Sequence, residues 1–254
     1  MRQLRLISQT ATACFFIICL LTSCSKHQTI NTPPQSVEEQ FESAMNDFQA
    51  KRYSKAIANF SSVIFNYPGS RYAADAQYFL ALSNFEKKDY QQAIIELDFF
   101  IKNFPTSPYI EPALVKLALA YLRSAPSIER DQSQLLKTQE ILEEIQEKYP
   151  DSKYRAEVEQ AQEELFDRLA HKDYDAAALY FRAREYGAAK IYYQHILDTY
   201  PQTKWAAKAK LPLAICLAET GSKQDARQLL EEIVKDNSNP ELQRKASAEL
   251  KKLN

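Results

Sequence analysis

Glycine is nearly missing from this chain: 254 residues contain only Gly69, Gly187 and Gly221. Glycine-rich phosphate loops, dinucleotide fingerprints and series of tight hairpins all need positive-φ positions, so three scattered glycines exclude them and most enzyme folds built on them. Tryptophan occurs once, and the four cysteines are Cys14, Cys19, Cys24 and Cys216. The first two lie in a segment that reads as removable, which leaves no internal disulfide framework. Neither sign of charge is in excess. Setting aside residues 1–23, with Arg2 and Arg5 and no acid, leaves 30 bases against 33 acids, so there is no basic footprint for nucleic acid. What is plentiful is aromatic: 15 Tyr and 13 Phe in a chain that is 45% apolar. That is enough apolar area for a substantial core and excludes intrinsic disorder except at the ends.

The only long apolar run is ATACFFIICLL, from Ala11 to Leu21. Eleven helical residues reach about 16 Å against a hydrocarbon core of roughly 30 Å, so the run reads as a signal peptide and not a span. It ends in Leu21-Thr22-Ser23-Cys24. That ending resembles the lipobox of bacterial lipoproteins, which implies a Cys24 that is lipid-modified on sulfur and becomes the first residue after cleavage. An ordinary signal peptide ending near a cysteine is the alternative. Ser25 in place of Asp is compatible, by the enterobacterial sorting rule, with the outer membrane. Several acyl chains at about 0.8 kcal/mol per buried CH₂ make a long-lived anchor. Residues 24–36 read as lipidated cysteine and flexible tether, reaching about 40 Å when extended.

Beyond the tether one phrase recurs four times: an aromatic, Pro, any residue, Ser or Thr, any residue, an aromatic. The copies begin at Tyr67-Pro68, Phe104-Pro105, Tyr149-Pro150 and Tyr200-Pro201 and end at Tyr72, Tyr109, Tyr154 and Trp205. Proline disfavours αR in the residue before it, and Ser or Thr is a favourable N-cap, so each phrase predicts a helix stop followed by a start. Fifteen residues before three of these prolines stands a Tyr (Tyr53, Tyr90, Tyr186), and twelve before them an Ala (Ala56, Ala93, Ala189). Phe60, Leu97 and Tyr193 follow one turn later. Here the chain resembles the tetratricopeptide repeat, a helix-turn-helix unit of about 34 residues that stacks on its neighbours to bury a core.

The expected fold class is therefore all-α, a tetratricopeptide-repeat superhelix (α-solenoid) of about five units. The expected organisation is a leader over 1–23, the tether, repeats over 37–240 (about 37–70, 71–107, 108–152, 153–203 and 204–240) and a helical tail over 241–254. The proline spacings of 37, 45 and 51 place one insertion at Ser124–Gln132, read as a loop, and another near Tyr154–Leu169. The second contains no Pro or Gly, and fourteen residues make about four helical turns. Residues 153–184 therefore read as one long helix with its apolar stripe on Val158, Ala161, Leu165, Leu169, Ala176, Tyr180 and Ala183.

No catalytic constellation is legible. His27 lies in the tether, His171 and His195 lie on helices without a second ligand at i+4, and there is no CxxC. Cys216, between Ile215 and Leu217, reads as a small core residue. No enzyme activity, metal or cofactor is expected, and a binding surface remains. The repeat register turns Phe41, Met45 and Phe48, then Tyr78, Leu82 and Phe85, then Val115, Leu119 and Leu122 toward a concave groove. Alternatively these side chains pack inside a tightly wound superhelix.

A lipobox, a short tether with Pro33-Pro34, five repeats, an insertion carrying Glu129–Gln132 and an elongated fourth repeat together resemble the BamD family, the lipoprotein subunit of the outer-membrane β-barrel assembly machinery. The local match is best at Leu169-Ala170, Tyr174, Ala177, Tyr180-Phe181, Tyr186, Ala189 and Tyr200-Pro201-Gln202-Thr203. The resemblance implies a non-catalytic periplasmic scaffold, lipid-anchored at the outer membrane. It implies N-terminal repeats that hold unfolded outer-membrane proteins and C-terminal repeats that dock on a BamA-like β-barrel insertase. The groove residues Phe41, Met45, Phe48, Tyr78, Leu82 and Phe85 are the candidates for clients, and the bases Arg182, Arg184 and Lys190 for docking. Thr138 departs from the pattern, standing where a small Ala is expected, and the third-repeat insertion is shorter than in the commonest family form. A pilus-secretin pilotin, a cell-division or envelope coordinator, and an envelope enzyme are the rival readings.

Overall fold

The proline phrases act as expected on the helices before them. In the computed structural model, which describes residues 36–126, 132–236 and 239–253, Tyr67, Phe104, Tyr149 and Tyr200 each end a helix with φ between −126° and −135° and ψ between 47° and 62°. The proline that follows holds them out of αR. Each still donates its N–H to the carbonyl four residues back, so the last turn stays closed. Among the described residues there are eleven helices and no strand: α1 (Val37–Gln49), α2 (Tyr53–Asn66), α3 (Ala73–Glu86), α4 (Tyr90–Asn103), α5 (Ile110–Ser124), α6 (Ser133–Lys148), α7 (Arg155–Arg182), α8 (Tyr186–Thr199), α9 (Lys204–Glu219), α10 (Lys223–Lys235) and α11 (Pro240–Lys252). Each packs on the next in antiparallel pairs, the arrangement of an all-α solenoid. The leader, Cys24 and most of the tether lie outside the described residues, as do Glu129, Arg130 and Asp131.

The starts differ from expectation. Of the Ser and Thr residues in the four proline phrases, only Thr203 caps its helix, its Oγ1 accepting from Ala206 N at 3.3 Å. Ser70, Ser107 and Ser152 stand one turn too early: their carbonyls accept from Ala73, Ile110 and Arg155, closing a turn ahead of the helix. The Ser107 and Ser152 hydroxyls accept from Tyr109 N and Tyr154 N inside that turn, at 3.2 and 2.9 Å.

Ala56, Ala93 and Ala189 have no exposed surface, and Phe60, Leu97 and Tyr193 one turn on are buried beside them. Thr138 is equally buried. Its hydroxyl donates to the Gln134 carbonyl at 2.8 Å, which removes the cost of an orphaned polar group at a close-packed position. One core cluster runs from Tyr78 on α3 to Cys216 on α9. Smaller ones seat α1 around Phe60 and Val63, and α11 around Leu230 and Ile233.

The turns inside the helix pairs explain how the chain does without glycine. Lys51, Lys88, Arg184 and Gly221 occupy the left-handed region at φ +57°, +68°, +63° and +91°. At each, the N–H of this residue reaches three residues back and that of the next residue five back, as in Asp89 N to Asn84 O at 2.9 Å. This is the Schellman C-cap, usually built on glycine. Here only one of the four uses it.

Helix α7 is as long as the sequence implies, but its buried stripe is not continuous. Val158, Ala161, Leu165 and Leu169 are buried in the first half, whereas Ala170 and Ala177 are buried in the second, with Ala176 half-buried and Tyr180 and Ala183 exposed. The stripe slips one residue at Leu169–Ala170, a rotation of about 100°. The two halves face different neighbours. The first is tied to α5 and α6 by Lys116–Glu157 at 2.8 Å, Gln146–Gln162 at 2.8 Å and the Arg168 guanidinium donating to the carbonyls of Leu122, Ala125 and Pro126. The second packs on α8 and α9 through Tyr174, whose ring lies 5.6 Å from Tyr193 and 5.2 Å from Trp205.

Candidate functional site

The aromatics that close the proline phrases are the joints of the solenoid. Tyr72 stacks on Phe41 with centroids 4.9 Å apart, Tyr109 on Tyr78 at 4.5 Å and 8°, and Trp205 on His171 at 3.9 Å and 8°. Each ring lies against the first helix of the preceding pair, where stacking adds about 0.5–1.5 kcal/mol to area burial. Among the described residues no ring stacks on Tyr154, and Val115 occupies the position equivalent to Tyr78.

These joints consume much of the expected groove. Tyr78 and Phe85 are 6% and 4% exposed, and Val115, Leu119 and Leu122 are buried. Phe85 is covered by cations from α5, Lys116 Nζ at 5.4 Å and the Arg123 guanidinium at 5.1 Å from its centroid. Burial pushes the Tyr78 hydroxyl up from its ordinary pKa. Phe41, Met45, Phe48 and Leu82 are half-buried, with Phe48 edge-on to Tyr53 and Phe79. Tyr78 and Phe85 are therefore inside the core, and the other four are partly at the surface.

Catalysis has no constellation among the described residues. His195 Nδ1 lies 3.1 Å from Asp173 and His171 Nε2 lies 3.4 Å from Asp175, two separate pairs with no nucleophile beside them. No group of three or more metal-ligating side chains gathers among the described residues. The Cys216 thiol is fully buried, and burial pushes its pKa up to about 11, opposite to the shift a reactive thiolate needs.

The slipped stripe of α7 opens a second surface. In α3, Leu80 packs on the first helix pair and Ser83 and Asn84 are buried one turn on; counting back from Tyr90 and Tyr186, their equivalents are Ala176, Leu179 and Tyr180. Leu179 is 59% exposed and Tyr180 is 37% exposed, because the fourteen extra residues have carried α5 and α6 onto the other half of the helix. Tyr180 stacks on Tyr192 of α8 at 5.7 Å and 16°. In an antiparallel hairpin the residues preceding a facing pair fall on the same side, which sets Leu179 beside Ile191, itself 68% exposed. Arg182 and Arg184 at the tip are exposed and Lys190 is half-buried. The hairpin thus offers exposed apolar side chains and, at its tip, exposed bases, two ingredients of a protein interface. The bases are legible in the sequence; the patch is not, because its exposure depends on where the insertion sends the neighbouring helices.

Comparison with known proteins gives one family. The model of the YfiO family, described as an outer membrane lipoprotein, matches residues 33–249. Among solved structures the chain is similar to the TPR2AB-domain:pHSP90 complex of yeast Sti1, with 17% identity over 85% of this chain and 84% of that one and a TM-score of 0.47. It is also similar to a thermophilic TPR protein of Thermus thermophilus (16%, 85% and 100%, TM-score 0.38) and to a tetratricopeptide repeat protein of Parabacteroides merdae (13%, 85% and 73%, TM-score 0.38). No curated protein matches.

Proposed function

The chain belongs to the YfiO family of outer membrane lipoproteins, and from that premise we propose that it is a non-catalytic scaffold of the β-barrel assembly machinery. In this reading Cys24 carries the lipid, the folded body stands in the periplasm, and the solenoid holds two protein partners on separate surfaces. The observation that carries the proposal is the uncovered face of the α7–α8 hairpin, where Leu179, Tyr180 and Ile191 are exposed on a hairpin whose tip carries Arg182 and Arg184 and whose second helix carries half-buried Lys190. Such a patch suits a folded partner presenting an apolar knob flanked by carboxylates, and we assign it to a periplasmic domain of a BamA-like insertase. The half-buried wall of Phe41, Met45, Phe48 and Leu82, backed by Tyr78 and Phe85, is assigned to apolar segments of unfolded outer-membrane proteins. Burial there contributes about 25 cal/mol per Å² before association costs.

The test is affinity purification from native membranes followed by mass spectrometry. The scaffold reading expects a β-barrel insertase as the main stoichiometric partner. Recovery of a secretin or of division proteins in its place would overturn it and support one of the rival envelope lipoproteins.

A further inference from the structure

A cluster of bases sits on the turns of the first two helix pairs and is used by neither surface above. Lys51, Arg52, Lys55 and Lys87 line one shallow recess together with Tyr53 and Ser54, and Lys88 adjoins it. All five bases are exposed. Arg52 is the only one with an ion-pair partner among the described residues, Asp47 at 2.7 Å. Glu86 and Asp89 are the flanking acids, and the Asp89 carboxylate is occupied in accepting from Gln92 N. Lys51 and Lys88 stand in the left-handed region, which glycine takes without the strain a β-carbon brings.

A cation at a helix C-terminus is favoured by the dipole, which could by itself account for lysine there. The same turn in the last pair answers this. Thr220, Gly221, Ser222 and Asp225 stand where Lys87, Lys88, Asp89 and Lys55 stand in their own pairs, and that turn closes with the same hydrogen bonds and no base at these four positions, Lys223 standing where Tyr53 and Tyr90 do. The bases are therefore not required by the fold. Arg184 holds the same left-handed position in the α7–α8 turn, but Ala183 and Ala188 stand there where Lys87 and Lys55 stand in their pairs, so the recess lined by four bases belongs to the two pairs nearest the tether in sequence.

We propose that this basic edge rests on anionic phospholipid headgroups of the membrane to which the chain is anchored. The inference rests on the lipid anchor in the reading above. Helix α1 has thirteen residues and spans about 20 Å, so its far turn lies within the roughly 40 Å reach of an extended tether from Cys24. Anchor and edge can therefore meet one bilayer surface. Bases held near an anionic leaflet gain from its surface potential within a Debye length, and four lysines with Arg52 on one edge suffice to bias the orientation of an already anchored body.

The test uses the full lipidated chain in vesicles, with a donor fluorophore on Ser54→Cys or, as control on another turn, on Gln202→Cys, and an acceptor on the headgroups. Buried Cys216 stays unlabelled. The expected result in vesicles containing phosphatidylglycerol is energy transfer higher at position 54 than at 202. That difference should vanish in phosphatidylcholine vesicles, at about 0.5 M salt where the Debye length falls to roughly 4 Å, and in a Lys51→Glu, Lys55→Glu, Lys87→Glu, Lys88→Glu variant. The corresponding Lys→Gln set serves if the charge-reversed chain misfolds. Equal transfer at both positions in anionic vesicles overturns the proposal. So does a difference that survives salt and neutral lipid. A chain that leaves the vesicles at high salt lacks the anchor, and preference for anionic over neutral vesicles at low salt then tests the edge directly.

Discussion

Removing the guanidinium of Arg168 should loosen the joint that makes this solenoid irregular. Its side chain donates to Leu122 O at 2.6 Å, Ala125 O at 3.1 Å and Pro126 O at 2.9 Å, so one residue of α7 caps the C-terminus of α5 where the chain leaves the helix. The last carbonyls of a helix have no intrahelical partner and carry partial negative charge, which makes a cation with forked donors a well-matched cap. A hydrogen bond to a charged group contributes about 1.5–3 kcal/mol when buried. Discounting for the exposure of the third bond and the partial exposure of the first two, Arg168→Met should cost about 2 kcal/mol. For a body of this size that corresponds to a fall of about 4–8 °C in melting temperature. Arg168→Lys keeps the charge and loses the fork, so it should recover less than half. Calorimetry gives the first number, and hydrogen exchange across 121–126 localises it. An unchanged melting temperature together with unchanged exchange in that segment would refute the claim that Arg168 fastens the two halves of the solenoid.

Overpacking tests the helix joints: Ala56→Leu, Ala93→Leu and Ala189→Leu should each destabilise by about 1–3 kcal/mol, since none of the three positions has free surface. Unchanged stability in all three would mean that these helices do not approach as closely as described. Alkaline conditions should destabilise the body in a definite order. Cys216 has its pKa raised to about 11 from 9.0, so between those values the unfolded chain releases a proton that the native one retains, and stability falls as pH rises through that window. Tyr78 and Tyr193, both raised by burial, extend the fall above pH 10. Urea midpoints that stay flat from pH 8 to about 11 would contradict this. Cys24→Ser should abolish palmitate labelling and leave an uncleaved precursor, and a labelled mature species would disprove the anchor.

The phrase around each proline was readable because its effect is local: a proline restricts the residue before it whatever surrounds it, and Tyr67, Phe104, Tyr149 and Tyr200 behave accordingly. The length of α7 was readable from the lack of any breaker. Its slipped stripe was not, because alanine stands at both 176 and 177 and either supports a continuous stripe; the choice is made by which helices lie opposite. The Schellman turns were missed at Lys51, Lys88 and Arg184 because the usual signal, glycine, is present only at Gly221. The groove register could not show that Tyr78 and Phe85 are closed over by Tyr109, Lys116 and Arg123 of the following segment.

The scaffold account rests on the open face of the α7–α8 hairpin, and its most direct measurement is the affinity of the purified chain for the periplasmic region of a β-barrel insertase. Leu179→Glu with Ile191→Glu replaces two exposed apolar side chains by carboxylates without touching the core, so folding should be preserved. The account predicts binding weakened by about a hundredfold, or roughly 2.7 kcal/mol, while Phe48→Ser with Leu82→Ser on the other surface leaves this affinity unchanged. Wild-type affinity in the hairpin variant, with the groove variant failing to bind, would contradict the assignment of the two surfaces.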